Sequence, residues 1–175
     1  MKKLLALLLS VLLSLAGCEK HIVDTEKYGQ VANYITFPDY FPASLEAYEV
    51  HGYSYRLYSY MDLSYEIFLD ISVEKTEMDR LIADAKEKRS EFFEVEGNYE
   101  NGYDELVFQD VFTVCGEEAE TVGEGMIEKI VYHPDTGNMV FVQIYAVDAG
   151  VYPVEQLEYF NRFQIDAKAY AEQVA

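Results

Sequence analysis

The sequence predicts an α+β fold: a single antiparallel sheet of about five strands with helices packed on it. Three observations carry this. Residues 65–74 alternate apolar and polar side chains, the period of a half-buried strand. Met78, Leu81, Ile82 and Ala85 recur at i, i+3, i+4 and i+7, the stripe of an amphipathic helix. Residues 126–133 and 139–147 flank His133-Pro134-Asp135-Thr136-Gly137-Asn138, a compact turn, and so predict a hairpin. The elements run β-β-α-β-β-β-α, an order that favours an antiparallel sheet.

Residues 1–17 read as a targeting segment. Lys2 and Lys3 precede an apolar run that reaches Leu15, broken by Ser10 and Ser14. Small residues follow, in Leu15-Ala16-Gly17-Cys18. A basic start, a short apolar stretch and small residues at a cleavage point form a secretory signal. The run is too short to span a bilayer, which takes about 20 residues. The Leu-Ala-Gly-Cys tetrad resembles the lipobox of bacterial lipoproteins. That resemblance implies a diacylglycerol on the sulfur of Cys18, which becomes the mature N-terminus. It therefore implies a membrane partner through the lipid, at the cell membrane on its extracytoplasmic face. Two acyl chains anchor stably, since each buried methylene contributes about 0.8 kcal/mol.

Residues 18–36 are polar and mixed, which suits a tether with room for a short helix over Thr25–Asn33. Residues 37–175 are expected to form one domain, with no internal repeat. Phe37, Tyr40 and Phe41 are interleaved with Pro38 and Pro42, and two prolines exclude a helix interior or central strand there. Residues 47–60 carry Tyr48, Tyr53, Tyr55, Tyr58 and Tyr60 without a helical stripe, and read as the first strand. A turn near 61–64 leads to the second. There Tyr65, Ile67, Leu69, Ile71 and Val73 face one way; Glu66, Asp70, Ser72 and Glu74 face the other. Phe68 interrupts the polar side.

Thr76 opens the helix, with its hydroxyl placed to cap Met78 or Asp79. Lys86, Lys88 and Arg89 close it, where cations suit the helix dipole. Asn101-Gly102 marks a turn, residues 105–115 a strand, and residues 116–125 an acidic loop with three glycines. The strand at 139–147 is apolar on both faces, which predicts a central position covered on both sides. Pro153 suits a first helical turn, so 154–162 reads as helix, with Leu157, Phe160 and Phe163 facing the core. Asp166 is placed to cap a last short helix carrying Ala169 and Tyr170.

Charge excludes one class of partner. Removing residues 1–17 leaves 158 of 175 residues. It takes away two of the 13 basic side chains and none of the 32 acidic ones, so the formal charge moves from −19 to −21. Nucleic acid binding needs a basic stripe to neutralise phosphates, and none exists. With Cys18 lipidated, Cys115 is the remaining thiol, so no intramolecular disulfide can form. Cys115 follows Phe112-Thr113-Val114 and reads as a buried, inert cysteine.

No motif for chemistry emerges. Glu94, Glu96, Glu100, Asp104 and Glu105, and then Glu117, Glu118, Glu120 and Glu124, lack the spacing of a calcium loop and read as solvated charge. His21, His51 and His133 lack zinc spacing. No nucleophile elbow or phosphate-cradling glycine loop is present. No catalytic residue, metal ligand or cofactor site is therefore assigned. His51, Tyr53 and Tyr55 form the candidate binding face, since tyrosines stack on sugars and anchor protein contacts. Alternatively the same tyrosines pack their rings in the core.

Phe37-Pro38-Asp39-Tyr40-Phe41-Pro42-Ala43-Ser44-Leu45-Glu46, the tyrosine strand, Ser64-Tyr65-Glu66-Ile67-Phe68-Leu69-Asp70 and Tyr159-Phe160-Asn161-Arg162-Phe163 together resemble uncharacterised small lipoproteins of Gram-positive bacteria. That resemblance implies the address and an intact domain, and carries no activity. The expected function is a cell-surface binding or interaction module for a protein or glycan ligand. The alternative is an envelope or polysaccharide hydrolase using a carboxylate pair.

Overall fold

The computed structural model describes residues 18–59, 63–99, 101–115, 121–147 and 153–174. The signal segment, residues 60–62 of the first turn and residues 116–120 of the acidic loop lie outside the described residues. Strands β1 (Cys18–Ile22), β2 (Glu49–Ser59), β3 (Leu63–Ser72), β4 (Phe93–Val95), β5 (Asp104–Cys115), β6 (Thr121–Tyr132) and β7 (Asn138–Ala146) form one antiparallel sheet. Its order is β1-β2-β3-β7-β6-β5-β4.

The sheet has seven strands rather than about five. The two extra strands are its edges. β1 pairs Cys18 with Ser59 through Ile22 with Tyr55, and β4 pairs only with Glu105, Leu106 and Val107. β1 does not alternate, and β4, at three residues, is too short for alternation to mark it as a strand in sequence. Edges are held by the backbone of the neighbouring strand, so short or polar sequences serve there. Residues 18–36, which the sequence suggests as a tether, thus hold β1 and a 3-10 helix at Thr25–Asn33 that buries Tyr28 and Val31.

The sheet is covered on both faces. On one side lie the 3-10 helix, the 37–42 segment and α1 (Lys75–Lys88), over Tyr65, Ile67, Leu69, Ile71, Met139 and Phe141. On the other lie α2 (Glu158–Phe163) and α3 (Ala167–Val174), over Phe68, Ile127, Val131, Val140, Val142 and Ile144. β7 sits between β3 and β6, and Met139 through Ile144 are all buried, as two apolar faces predict. A buried side chain of this size contributes roughly 1.5–3 kcal/mol.

The alternation of β3 is as read, but its polar side is not solvated. Glu66 is 0% exposed and Asp70 5%. Both lie beneath the C-terminal helices, whose packing the sequence pattern of β3 does not reveal.

Local differences have local causes. Glu74, not Thr76, is the N-cap of α1; it makes no side-chain cap, and its carbonyl accepts the N–H of Glu77 and Met78. The helix expected over 154–162 divides at Leu157 into a 3-10 turn (Val154–Gln156) and α2. Asp166 caps α3 by accepting the N–H of Ala169 at 2.9 Å. Gly123 and Gly125, expected in the acidic loop, lie within β6. A Cβ on Gly125 would stand 2.3 Å from the carbonyl oxygen of Val111, so glycine permits the close approach of β6 to β5. Gly137 closes the β6–β7 turn at φ +75°, a left-handed conformation that suits glycine.

Candidate functional site

The most unusual side chain in the sheet is Lys129. On β6, Ile127, Lys129 and Val131 share one face, so the lysine stands between two core residues. It is 1% exposed. A buried ammonium is tolerable only with partners, and it has them. Its Nζ donates to Asp110 Oδ2 at 2.7 Å, to the Tyr170 hydroxyl at 2.7 Å and to Glu105 Oε1 at 3.4 Å. Three ammonium protons thus meet three acceptors. The rings of Tyr170 and Tyr159 lie 5.2 and 5.6 Å from the nitrogen and add cation–π attraction.

The partners come from three elements. Glu105 and Asp110 stand on β5, either side of the register shift at 107/109. Tyr159 comes from α2 and Tyr170 from α3. The turn before β5 contributes Asn98 and Tyr99: Asn98 Nδ2 donates to Glu105 Oε2 at 3.0 Å, and the Tyr99 hydroxyl donates to Oε1 at 2.5 Å. The Tyr159 hydroxyl lies 2.6 Å from that of Tyr99 and 3.3 Å from Glu105 Oε1. Glu105, read in sequence as solvated loop charge, is 2% exposed at the centre of this network.

Burial pushes the pKa of Tyr99, Tyr159 and Tyr170 upward, and neighbouring carboxylates push further, Glu105 on Tyr99 and Asp110 on Tyr170. Their hydroxyls therefore stay protonated and act as hydrogen-bond donors at neutral pH.

A cleft of about 460 Å³ opens over this floor. Phe93, Val95, Ile165 and Val174 form apolar walls, while Asn98, Asp166 and Gln173 form a polar rim. Its size and its mix of apolar wall and convergent polar groups match small-molecule sites. On the other face of the sheet Glu128, 4% exposed, receives Arg89 at 3.2 Å and the Gln143 amide at 2.6 Å. That cluster holds α1 to the sheet.

The residues nominated from sequence are not brought together as an exposed face. Tyr53 and Tyr55 are 6% and 0% exposed. Their rings pack on Tyr28 at 5.3 Å and Tyr34 at 6.2 Å. His51 is exposed, with Nε2 2.6 Å from Ser72 Oγ. Cys18 enters the sheet by its backbone, opposite Ser59. Cys115 ends β5, half-buried, with a free thiol.

Sequence alone assigns no site role to Lys129, Asp110, Tyr99 or Tyr170. One signal for them is visible. A lysine alternating with isoleucine and valine inside an apolar strand has no solvated face to occupy. Its partners leave no such trace, because four separate segments supply them.

Among the described residues, no group of three or more His, Cys, Asp or Glu is placed to hold a metal ion. No helix among them is long and apolar enough to cross a membrane. Compared with protein-family models, curated proteins and solved structures, the chain matches none.

Proposed function

We propose that this protein is a lipid-anchored, extracytoplasmic binding module that receives its ligand in the cleft above Lys129. The cleft carries the binding part of this reading. Its floor holds a lysine ammonium whose three protons are all engaged, rather than a set of groups poised for proton transfer. The anchoring part rests on the Leu15-Ala16-Gly17-Cys18 tetrad. In this reading the lipid hangs from the first residue of β1. The end of the sheet carrying Ser59, Cys115 and Thr121 then faces the bilayer. The end carrying Ser72, Asn138 and Asp104 points away.

The alternative is hydrolysis by a carboxylate pair, and its best candidates are Glu105 and Asp110. The Lys129 ammonium lies between them, and Asn98, Tyr99 and Tyr159 also engage Glu105. A general acid needs a proton to give; these carboxylates are arranged to accept. Binding is the better reading.

Two experiments test the proposal. Cys18→Ala in the producing cell is expected to release the protein or leave its precursor uncleaved; unchanged, correctly processed anchoring would overturn the lipid reading. A glycan and protein pull-down with the full chain in non-ionic detergent is expected to retain a ligand that Ala169→Phe, filling the cleft, fails to retain. Retention indifferent to that variant, or none at all, would overturn the cleft reading.

A further inference from the structure

We propose that the ligand of this cleft is a small organic cation, a primary ammonium or guanidinium on an apolar body; this rests on the binding reading above. Charge is the first argument. Among the described lining residues, Glu105, Asp110 and Asp166 face one cation, Lys129, a formal excess of two negative charges. A cleft with low-dielectric walls focuses such a field and concentrates counter-ions of opposite sign.

The chemistry of the floor excludes the opposite class. A carboxylate or phosphate entering the cleft would look for the ammonium of Lys129. All three of its protons are already engaged, two of them at 2.7 Å. An anion would also face Asp110 and Glu105 at close range.

Acceptor capacity places the cation. Glu105 is 2% exposed and receives Lys129, Asn98, Tyr99 and Tyr159. Asp110 is different: its side chain is 12% exposed, and it is approached by Lys129 and Tyr170 alone among the described side-chain contacts. A carboxylate offers about four lone-pair positions, so Asp110 retains capacity for one more donor. The apolar walls then receive the body of the ligand, and the rings of Phe93 and Tyr170 lie within the same lining.

Calorimetric titration of the full chain in non-ionic detergent, at low ionic strength, tests this with three probes of one shape: benzylammonium, benzyl alcohol and benzoate. Benzylammonium is expected to bind at one site, at least tenfold more tightly than the other two, and more weakly as salt rises. Asp110→Asn is expected to weaken it at least tenfold. Because Asp110 also holds Lys129, a second variant avoids dependence on that network: Ala169→Phe, an exposed helix position on the cleft wall, is expected to abolish the titration. Glu155→Gln, outside the cleft, is expected to leave it unchanged. Benzylammonium heat that is absent, or indifferent to both cleft variants, would overturn the proposal. Benzoate or benzyl alcohol binding more tightly, in a manner that Ala169→Phe removes, would overturn the cationic class while leaving the cleft as a binding site.

Discussion

Glu66, a side chain of β3, accepts the backbone N–H of Tyr159 at 3.1 Å and so caps a helix 93 positions later in the chain. It accepts the N–H of Glu158 at the same distance. α2 has no side-chain cap of its own at Leu157. The sheet therefore supplies what the local sequence of the helix lacks, and a polar strand residue becomes the clasp of the C-terminal layer.

That clasp makes stability depend on pH. Burial raises the Glu66 pKa from 4.5 to about 7, against the two N–H donors that lower it. The folded state thus holds this proton more tightly than the unfolded state. The contribution is fully present below pH 4.5 and is lost as pH rises to about 7, a change on the order of 3 kcal/mol. Urea unfolding at pH 5 and pH 8 is expected to show Glu66→Gln gaining on the parent protein at the higher pH. An identical pH dependence in both would exclude this role.

Lys129 is the counterpart case, a charge that cannot be removed alone. Lys129→Met leaves Glu105 and Asp110 buried without their cation, at an expected cost of about 3–5 kcal/mol. Adding Glu105→Gln and Asp110→Asn removes the unpaired charges and is expected to restore part of that loss. Chemical denaturation of the single and triple variants measures both. A single variant as stable as the parent would show that the network carries no such charge penalty.

Tyr55 illustrates a different economy. Its ring is fully buried, and its hydroxyl, also buried, has no hydrogen-bond partner among the described residues. Burying such a group costs free energy, so Tyr55→Phe is expected to leave stability unchanged or raise it by up to about 1 kcal/mol. A Tm lowered by many degrees would show that the hydroxyl is needed. Ligand retention in the pull-down is expected to be unaffected, since the ring lies in the core.

Gly137 is irreplaceable for two reasons that act together. Its φ is +75°, and a Cβ there would stand 2.0 Å from the carbonyl oxygen of Val73. Gly137→Ala is expected to cost more than about 1 kcal/mol, and to loosen the Val73 N–H bond to the Gly137 carbonyl. Hydrogen exchange at Val73 reads that bond directly. Gly29→Ala, where nothing lies within 4 Å of the new Cβ, is the control expected to stay within about 0.5 kcal/mol.

By itself the sequence determined the α+β class, the five inner strands, the place of α1 and the double-sided burial of β7. Those follow from period and turn chemistry, which are local: alternation in 65–74, the stripe from Met78 to Ala85, the turn at 133–138. It also supplied the targeting reading on Cys18, which depends on a contiguous motif. Tertiary structure alone decided the edges, the fate of the polar side of β3 and the cleft. β1 and β4 are strands because a neighbour offers its backbone; β1 does not alternate, and β4 is too short for its alternation to count. Glu66, Asp70 and Glu105 look solvated in one dimension and are buried in three, because distant segments bring Tyr159, Arg162 and Lys129 onto them. Side-chain period tells which residues share a face; it carries no record of what will cover that face.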